Sequence, residues 1–217
     1  MNPNLQFQDR ADLSDLTAFL TRAKKLDPAG AVKLKSFDQV LGVYVSPIFT
    51  GSLLGDGPTV LGLRTMKLAE ASDLDATFAL SAILERIANL GLAELSLSMP
   101  PSQVRTPWSG ITPPRDGWLE VATLGQSQIS TWAKDGISEV AAALPEAVGA
   151  SIASKVRLQI WGKTVDEELG LQGAAAFAMS GLGFMNPGET VRVFESANWL
   201  RLSTDHGHVL SKRSARG

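Results

Sequence analysis

Cysteine is absent from this 217-residue chain, which removes disulfides, thiolate zinc sites, cysteine-held iron–sulfur clusters and a cysteine nucleophile together. Histidine is scarce, with His206 and His208 as the two in the chain, so few groups can exchange protons near neutral pH. Neither sign of charge is in marked excess. Twenty Lys and Arg stand against 22 Asp and Glu, a net charge of −2, so no overall field draws the chain toward DNA or anionic lipid, and any anion site must be local. The first twelve residues, MNPNLQFQDRAD, have no basic n-region and no apolar h-region, which argues against a standard export signal and for a cytoplasmic location.

A long, strongly apolar run is also missing. Between Glu168 and Glu189 there is no charge, but LGLQGAAAFAMSGLGFMNPG is rich in Gly and Ala and carries Gln172, Asn186 and Pro187. A membrane span needs about 20 predominantly apolar residues, so a buried core helix is the better reading and no membrane partner is expected. The nucleotide and acyl-transfer signatures are lacking as well. GSLLGDG from Gly51 has glycines without the Lys-Ser/Thr pair of a P-loop and reads as a hairpin loop, while GLG at Gly181 lies at a helix end, the wrong pole for an anion. No GxSxG elbow occurs. No organic cofactor is expected.

What is present is enough apolar material, 44% of residues, for a continuous core. A first helix is predicted from an N-cap at Asp12, with Leu13, Leu16, Phe19, Leu20, Ala23 and Leu26 on one stripe and Lys24 and Lys25 in its last turn. VKLKSF and VLGVYV read as two strands of a hairpin turning at Asp38-Gln39, GDGP at Gly55 to Pro58 as a turn, and TVLGLRTMKL as a further strand. Asp73 then reads as the cap of a second helix carrying Leu74, Phe78, Leu80, Ile83, Leu84, Ile87 and Leu90. The proline-rich interval from Pro100 to Gly117 is a connector, and packing is the expected role of its Trp108.

Beyond it the pattern predicts a strand over 118–123 and a helix from about Ser127, with Ile129, Trp132, Ala133, Ile137, Val140, Ala141 and Leu144 inward and a short Ala-rich stretch opened by Pro145. VRLQIW reads as a strand. Thr164 with Glu167 has capping-box spacing for the charge-free helix, and VRVFES, Ala197-Asn198 and WLRLST read as a hairpin. The fold class is α+β, with two small lobes, each of helices packed on a small antiparallel sheet. The expected division is an N-terminal lobe over 1–99, the connector over 100–117, and a C-terminal lobe over 118–217 that ends in the hairpin and a basic tail. Gly- and Ala-rich surfaces over 140–154 and 169–183 allow close helix packing, within the chain or between copies in a homo-oligomer.

ITPPRDGWLEV, then GLGFM, then the Trp-bearing hairpin VRVFESANWLRL, together resemble a group of uncharacterised proteins from actinobacteria, over residues 105 to 204. The resemblance implies a bacterial cytosolic protein and carries over no catalytic residue.

The candidate sites are few. In TDHGH, residues 204–208, an extended backbone would point His206 and His208 to one face, where they could ligate a divalent metal with a carboxylate from elsewhere. The competing reading is a turn, with Gly207 free to take positive φ. Helix, helix and terminal hairpin is also the order of a winged helix, but from Thr164 to Val191 there is no Lys or Arg and Asp166, Glu167 and Glu168 crowd the start. That weighs against nucleic acid, leaving Arg192, Arg201, Lys212, Arg213 and Arg216 as a thin strip for phosphate. Asp73 with Asp75, and Glu167 with Glu168, are explained by helix caps and dipoles, and Lys33, Lys35, Arg64 and Lys67 by a solvated sheet face. The function expected is a non-catalytic cytosolic binding or protein-interaction module. The alternatives are a metal-dependent enzyme built on His206 and His208, and a winged-helix-like nucleic-acid binder.

Overall fold

The computed structural model describes residues 3–49, 57–144 and 149–213. The predicted turn at Gly55, the stretch opened by Pro145 and Arg216 of the tail lie outside them. The chain forms two units, the first made of Met1–Pro47 and Leu63–Gly110, the second of Ile48–Gly62 and Ile111–Gly217.

Unit 1 carries β1 (Asn4–Gln6), α1 (Arg10–Leu26), β2 (Ala31–Ile48), β3 (Val60–Ser72), β4 (Asp75–Ala79), α2 (Leu80–Ala88) and β5 (Ser96–Ser98), and closes on a 3-10 turn, Pro107–Gly110. The end of β2 and the start of β3 belong to unit 2. The strands run in the order β4–β2–β3, with β1 paired to β5. Helix α1 presents Leu13, Leu16, Phe19, Leu20 and Ala23 as its buried stripe, as the periodicity requires, and packs against α2. Its cap is Asp9 rather than Asp12: the Asp9 carboxylate accepts the Asp12 backbone N–H at 3.0 Å, which adds a turn at the N-terminus.

The expected hairpin over residues 32–45 is a single strand, β2. Val32, Leu34 and Ser36 are buried, and so are Leu41, Val43 and Val45; the inward phase changes from even to odd positions across Asp38, which takes φ 55°. A phase shift by one residue looks like a turn in the sequence, yet the chain absorbs it at one left-handed residue and continues. The helix expected from Asp73 begins only at Leu80. Residues 75–79 pair antiparallel with β2, Lys35 opposite Asp75 and Ala31 opposite Ala79, so a strand wins where β2 offers a ladder. Trp108 is buried in unit 1, as expected of a packing residue.

Unit 2 carries β6 (Leu119–Gly125), α3 (Gln126–Ala143), α4 (Ala150–Trp161), β7 (Thr164–Asp166), β8 (Leu171–Gln172), α5 (Gly173–Gly181), β9 (Thr190–Ser196), β10 (Trp199–Thr204) and β11 (Gly207–Lys212). Its main strands run β11–β10–β9–β6, with the start of β3 beside β11. The terminal hairpin is as predicted, with Ala197 at φ 51° in its turn.

Three expectations fail here for local reasons. VRLQIW is the end of helix α4: its six residues fit a period of 2, but the preceding ASIASK extends the segment to helical length. The Thr164 capping box does not form; Thr164 begins β7, the Asp166 carboxylate accepts the Leu169 N–H at 3.0 Å, and Glu167 and Glu168 sit in the β7–β8 turn rather than at a helix start. Helix α3 turns a different face inward. Ile129 and Ala133 are buried and Val140 is half-buried, whereas Ile137 is 51% exposed. The stripe is centred on Gly136, where the Trp161 ring lies so close that any Cβ would overlap it. The charge-free helix is α5, with Ala174, Ala175, Ala176, Ala178 and Met179 fully buried. It ends in a Schellman arrangement, Phe184 N–H to Met179 O and Gly183 N–H to Ser180 O, with Gly183 at φ 71°. The class is α+β. Among the described residues no helix is long and apolar enough to cross a membrane.

Candidate functional site

TDHGH is a tight turn between β10 and β11 that grips the end of α5. Thr204 Oγ1 donates to Phe184 O at 2.5 Å and accepts the His206 backbone N–H at 3.1 Å. Gly207, at φ 150°, leaves no room for a Cβ because the Phe184 ring occupies that space. The motifs GLGFM and TDHGH are therefore two halves of one packing contact. The histidines take separate partners: His206 Nε2 meets Asn186 Nδ2 at 2.5 Å, and His208 Nδ1 meets Ser203 Oγ at 3.0 Å across the β10–β11 pair. Among the described residues no group of three or more His, Asp or Glu side chains is placed to hold a metal ion.

Lys33, Lys35 and Arg64 of unit 1 are held by their own chain. Lys33 and Lys35 converge on Asp75 at 3.3 and 2.7 Å, and Lys33 also donates to Ser109 O. Burial alone would raise the Asp75 carboxyl, but the Lys35 hydrogen bond and the charge and hydrogen bond of Lys33 outweigh it and hold Asp75 below the usual carboxylate value. Arg64 is paired with Asp15 of α1. An open groove of about 430 Å³ lies along α2, lined by Glu85, Arg86, Asn89, Glu94, Pro100 and Pro101; its Arg86 is tied to Ser98 Oγ and its Glu94 to the Gly91 N–H.

The sheet of unit 2 differs. Alternation along β9, β10 and β11 sends Val191, Val193, Leu200, Leu202 and Val209 into the core. The opposite face is set by register: Glu120 of β6 lies opposite Phe194 of β9, which lies opposite Arg201 of β10. Arg201 is enclosed by two rings, its guanidinium carbon 4.7 Å from the Trp118 centroid and 4.5 Å from that of Phe194. Trp118 is held in place by its indole N–H, which donates to Pro114 O at 3.1 Å. Arg192 stands 4.9 Å from the same Phe194 ring and donates twice to Glu120 Oε2, at 3.0 and 2.7 Å. The hydrogen bond and charge of that carboxylate raise the Arg192 guanidinium above its ordinary value. Arg213 pairs with Glu195.

Arg201 has no such partner among the described residues. Its Nε is buried without an acceptor, and burial, followed by the positive charge of Arg192, pushes its ionisation downward. The basic strip read from the sequence is therefore not a set of equivalent cations. Arg192 and Arg213 are neutralised, Lys212 lies 5.8 Å over the Trp199 ring, and Arg201 alone of the two hairpin arginines lacks a carboxylate. Sequence reading named Arg201 but missed Trp118 and Phe194. The only signal for them was an aromatic two residues before an acidic strand position and one at an outward position of β9.

The chain is similar in fold to solved sliding clamps. A protein from Eubacterium rectale assigned as a DNA polymerase III beta subunit superposes with a TM-score of 0.55 at 8% identity, covering 97% of this chain and 64% of that one. The DNA polymerase III subunit beta of Pseudomonas aeruginosa gives 0.51 at 11% identity over 99% and 65%. The sliding clamp of Bartonella birtlesii bound to griselimycin gives 0.52 at 9% identity over 99% and 66%. The chain thus spans less than two thirds of the length of each. No curated protein matches its sequence. Residues 113–216 match a second family model, a domain of unknown function, DUF8185. Residues 1–110 match the model of the domain of unknown function DUF8010, and the chain belongs to that family.

Proposed function

We propose that this chain is a non-catalytic, clamp-like protein-interaction module that works as a homo-oligomer in association with DNA. The observation that carries the reading is the likeness to sliding clamps over 97–99% of the chain. Its support within the molecule is the outer sheet face of unit 2, whose arginines are ordered by two rings and one carboxylate and so are laid out for contact. The thin supply of Lys and Arg, which weighs against nucleic acid in the sequence, is an argument about long-range attraction only. A clamp-like fold leaves it without force against local contact.

Two measurements on tag-free protein test the proposal. Native mass spectrometry is expected to give an integer multiple of the chain mass, and a fluorescent 30-base-pair duplex is expected to bind at low salt and to be released as salt rises. A strict monomer that leaves the duplex free at low salt overturns the reading. The same spectrum tests the metal alternative. An added mass matching a divalent ion, lost on replacing His206 and His208 with Ala, would make those residues ligands; a bare multiple keeps TDHGH a packing turn.

A further inference from the structure

We infer that Arg201 anchors a carboxylate-binding site on the outer sheet face of unit 2, and that its ligand is an acidic segment of a partner protein. The inference rests on reading the chain as an interaction module and adds the residue and the chemistry of what it grips.

The argument begins with what Arg201 lacks. A guanidinium stays charged at any physiological pH, and taking it partly out of water is unfavourable unless an anion or a set of acceptors replaces the lost hydration. Arg64, Arg192 and Arg213 each have a carboxylate of their own chain. Arg201 has two aromatic faces, a buried Nε without an acceptor, and a second positive charge, Arg192, as its electrostatic neighbour. The rings attract the cation but accept no hydrogen bond in the guanidinium plane. What is missing is therefore an oxyanion with two oxygens lying in that plane, where Arg binds with paired N–H donors.

Carboxylate and phosphate both meet that description, and the surroundings favour the carboxylate. Proteins bind single-stranded nucleic acid by stacking bases on open aromatic faces and by a run of cations that tracks the backbone. Here the Trp118 and Phe194 rings already carry guanidinium groups, Arg192 is spent on Glu120, and Arg213 on Glu195. One unspent, desolvated guanidinium suits one discrete carboxylate. Glu120 does not fill the role: it accepts two hydrogen bonds from Arg192, and it lies two strands away from Arg201 in the register. Pre-setting by the rings also fixes the guanidinium orientation before the partner arrives, which reduces the ordering cost of binding.

The test uses the tag-free full chain and a fluorescein-labelled hexaglutamate peptide, read by anisotropy at low salt. Wild type is expected to bind saturably. Arg201→Met keeps the stem against the rings and removes the charge, and is expected to weaken binding at least tenfold; Arg201→Lys, which keeps the charge but loses the planar donor pair, is expected to fall between. If Arg201→Met fails to fold, the Arg201 Nε–H resonance in ¹⁵N-arginine-labelled wild type, expected to shift on adding the peptide, gives the answer without a variant. Folded Arg201→Met that binds within twofold of wild type, or an unmoved Nε–H resonance, overturns the site. A sixteen-nucleotide oligo-dT that binds more tightly than the peptide and loses binding in Arg201→Met would instead make the ligand a phosphate backbone. The native mass does not depend on this residue, so failure of the module reading, a strict monomer, and failure of this site, unweakened peptide binding by Arg201→Met, give different results.

Discussion

Helices α1 and α5 occupy the cores of units 1 and 2 by opposite means. From α1, Leu13, Leu16, Phe19 and Leu20 reach outward and fill volume. From α5, Ala174, Ala175, Ala176 and Ala178 reach hardly at all; the neighbours come to the helix, with the Trp161 ring tilted against that of Phe177, 4.5 Å between centroids, and laid against Gly136 of α3. The same contrast runs through the charges. In unit 1 two lysines share one carboxylate, whereas in unit 2 one arginine takes the carboxylate and the other is left between rings. A core built by large side chains loses most when one is truncated, and one built by close approach loses most when atoms are added at the contact.

The largest expected effects break the volume comparison. Leu16→Ala removes a fully buried side chain from α1 and is expected to destabilise by about 3 kcal/mol in urea unfolding, the middle of the range for buried Leu truncation. Gly136→Val adds an isopropyl group where the Trp161 ring already lies, and about 2 kcal/mol is expected from overpacking; the same change at a solvent-facing helix glycine would be nearly neutral or favourable. If Leu16→Ala is mild and Gly136→Val is tolerated, the contrast between the two cores is wrong.

The charge comparison predicts a difference of sign. Arg201→Met removes a partly buried cation with no carboxylate and keeps the apolar stem, so stability is expected to rise by about 1 kcal/mol even as ligand binding falls. Lys33→Met, which takes a cation from Asp75 and a donor from Ser109 O, is expected to lower it by about 0.5 kcal/mol. A loss in both would mean that Arg201 is satisfied within the fold. Asp75→Asn is expected to cost as little, about 0.5 kcal/mol at neutral pH for a half-exposed pair. Because the folded carboxyl titrates below its unfolded value, its contribution is present above the ordinary Asp range and is lost as pH falls through the lower folded value. The difference between wild type and Asp75→Asn is therefore expected to shrink below about pH 4, and a difference that grows on acidification would reverse the assignment.

Much of the architecture was legible where one element meets one period. The α1 stripe, the inward face of Val32, Leu34 and Ser36, the terminal hairpin and the Gly183 helix stop all follow from spacing and turn chemistry, and they appear as read. Misreadings gathered where a short segment fits two periods. VRLQIW and the stretch from Leu74 to Ala79 each satisfy strand and helix patterns over five or six residues, and each was decided by its neighbour: ASIASK lengthens the first into α4, and the ladder of β2 captures the second. The candidate site was half legible. Arg201 could be named, but an unpaired guanidinium is a statement about what is not nearby, and that depends on Glu120 being taken by Arg192 and on Trp118 reaching it from outside the hairpin.

The sequence by itself determined the α+β class, the want of cysteine chemistry and the near balance of charge, because composition and local periodicity act within a few residues, and it left TDHGH open between a metal site and a turn. The tertiary structure alone decided that β2 is one strand, that Gly136 rather than Ile137 faces the core, and that Arg201 and not Arg192 lacks a counter-ion. Those outcomes depend on strand register and on side chains far apart in the chain, and the free energy of a contact exists only once the fold has brought its two halves together.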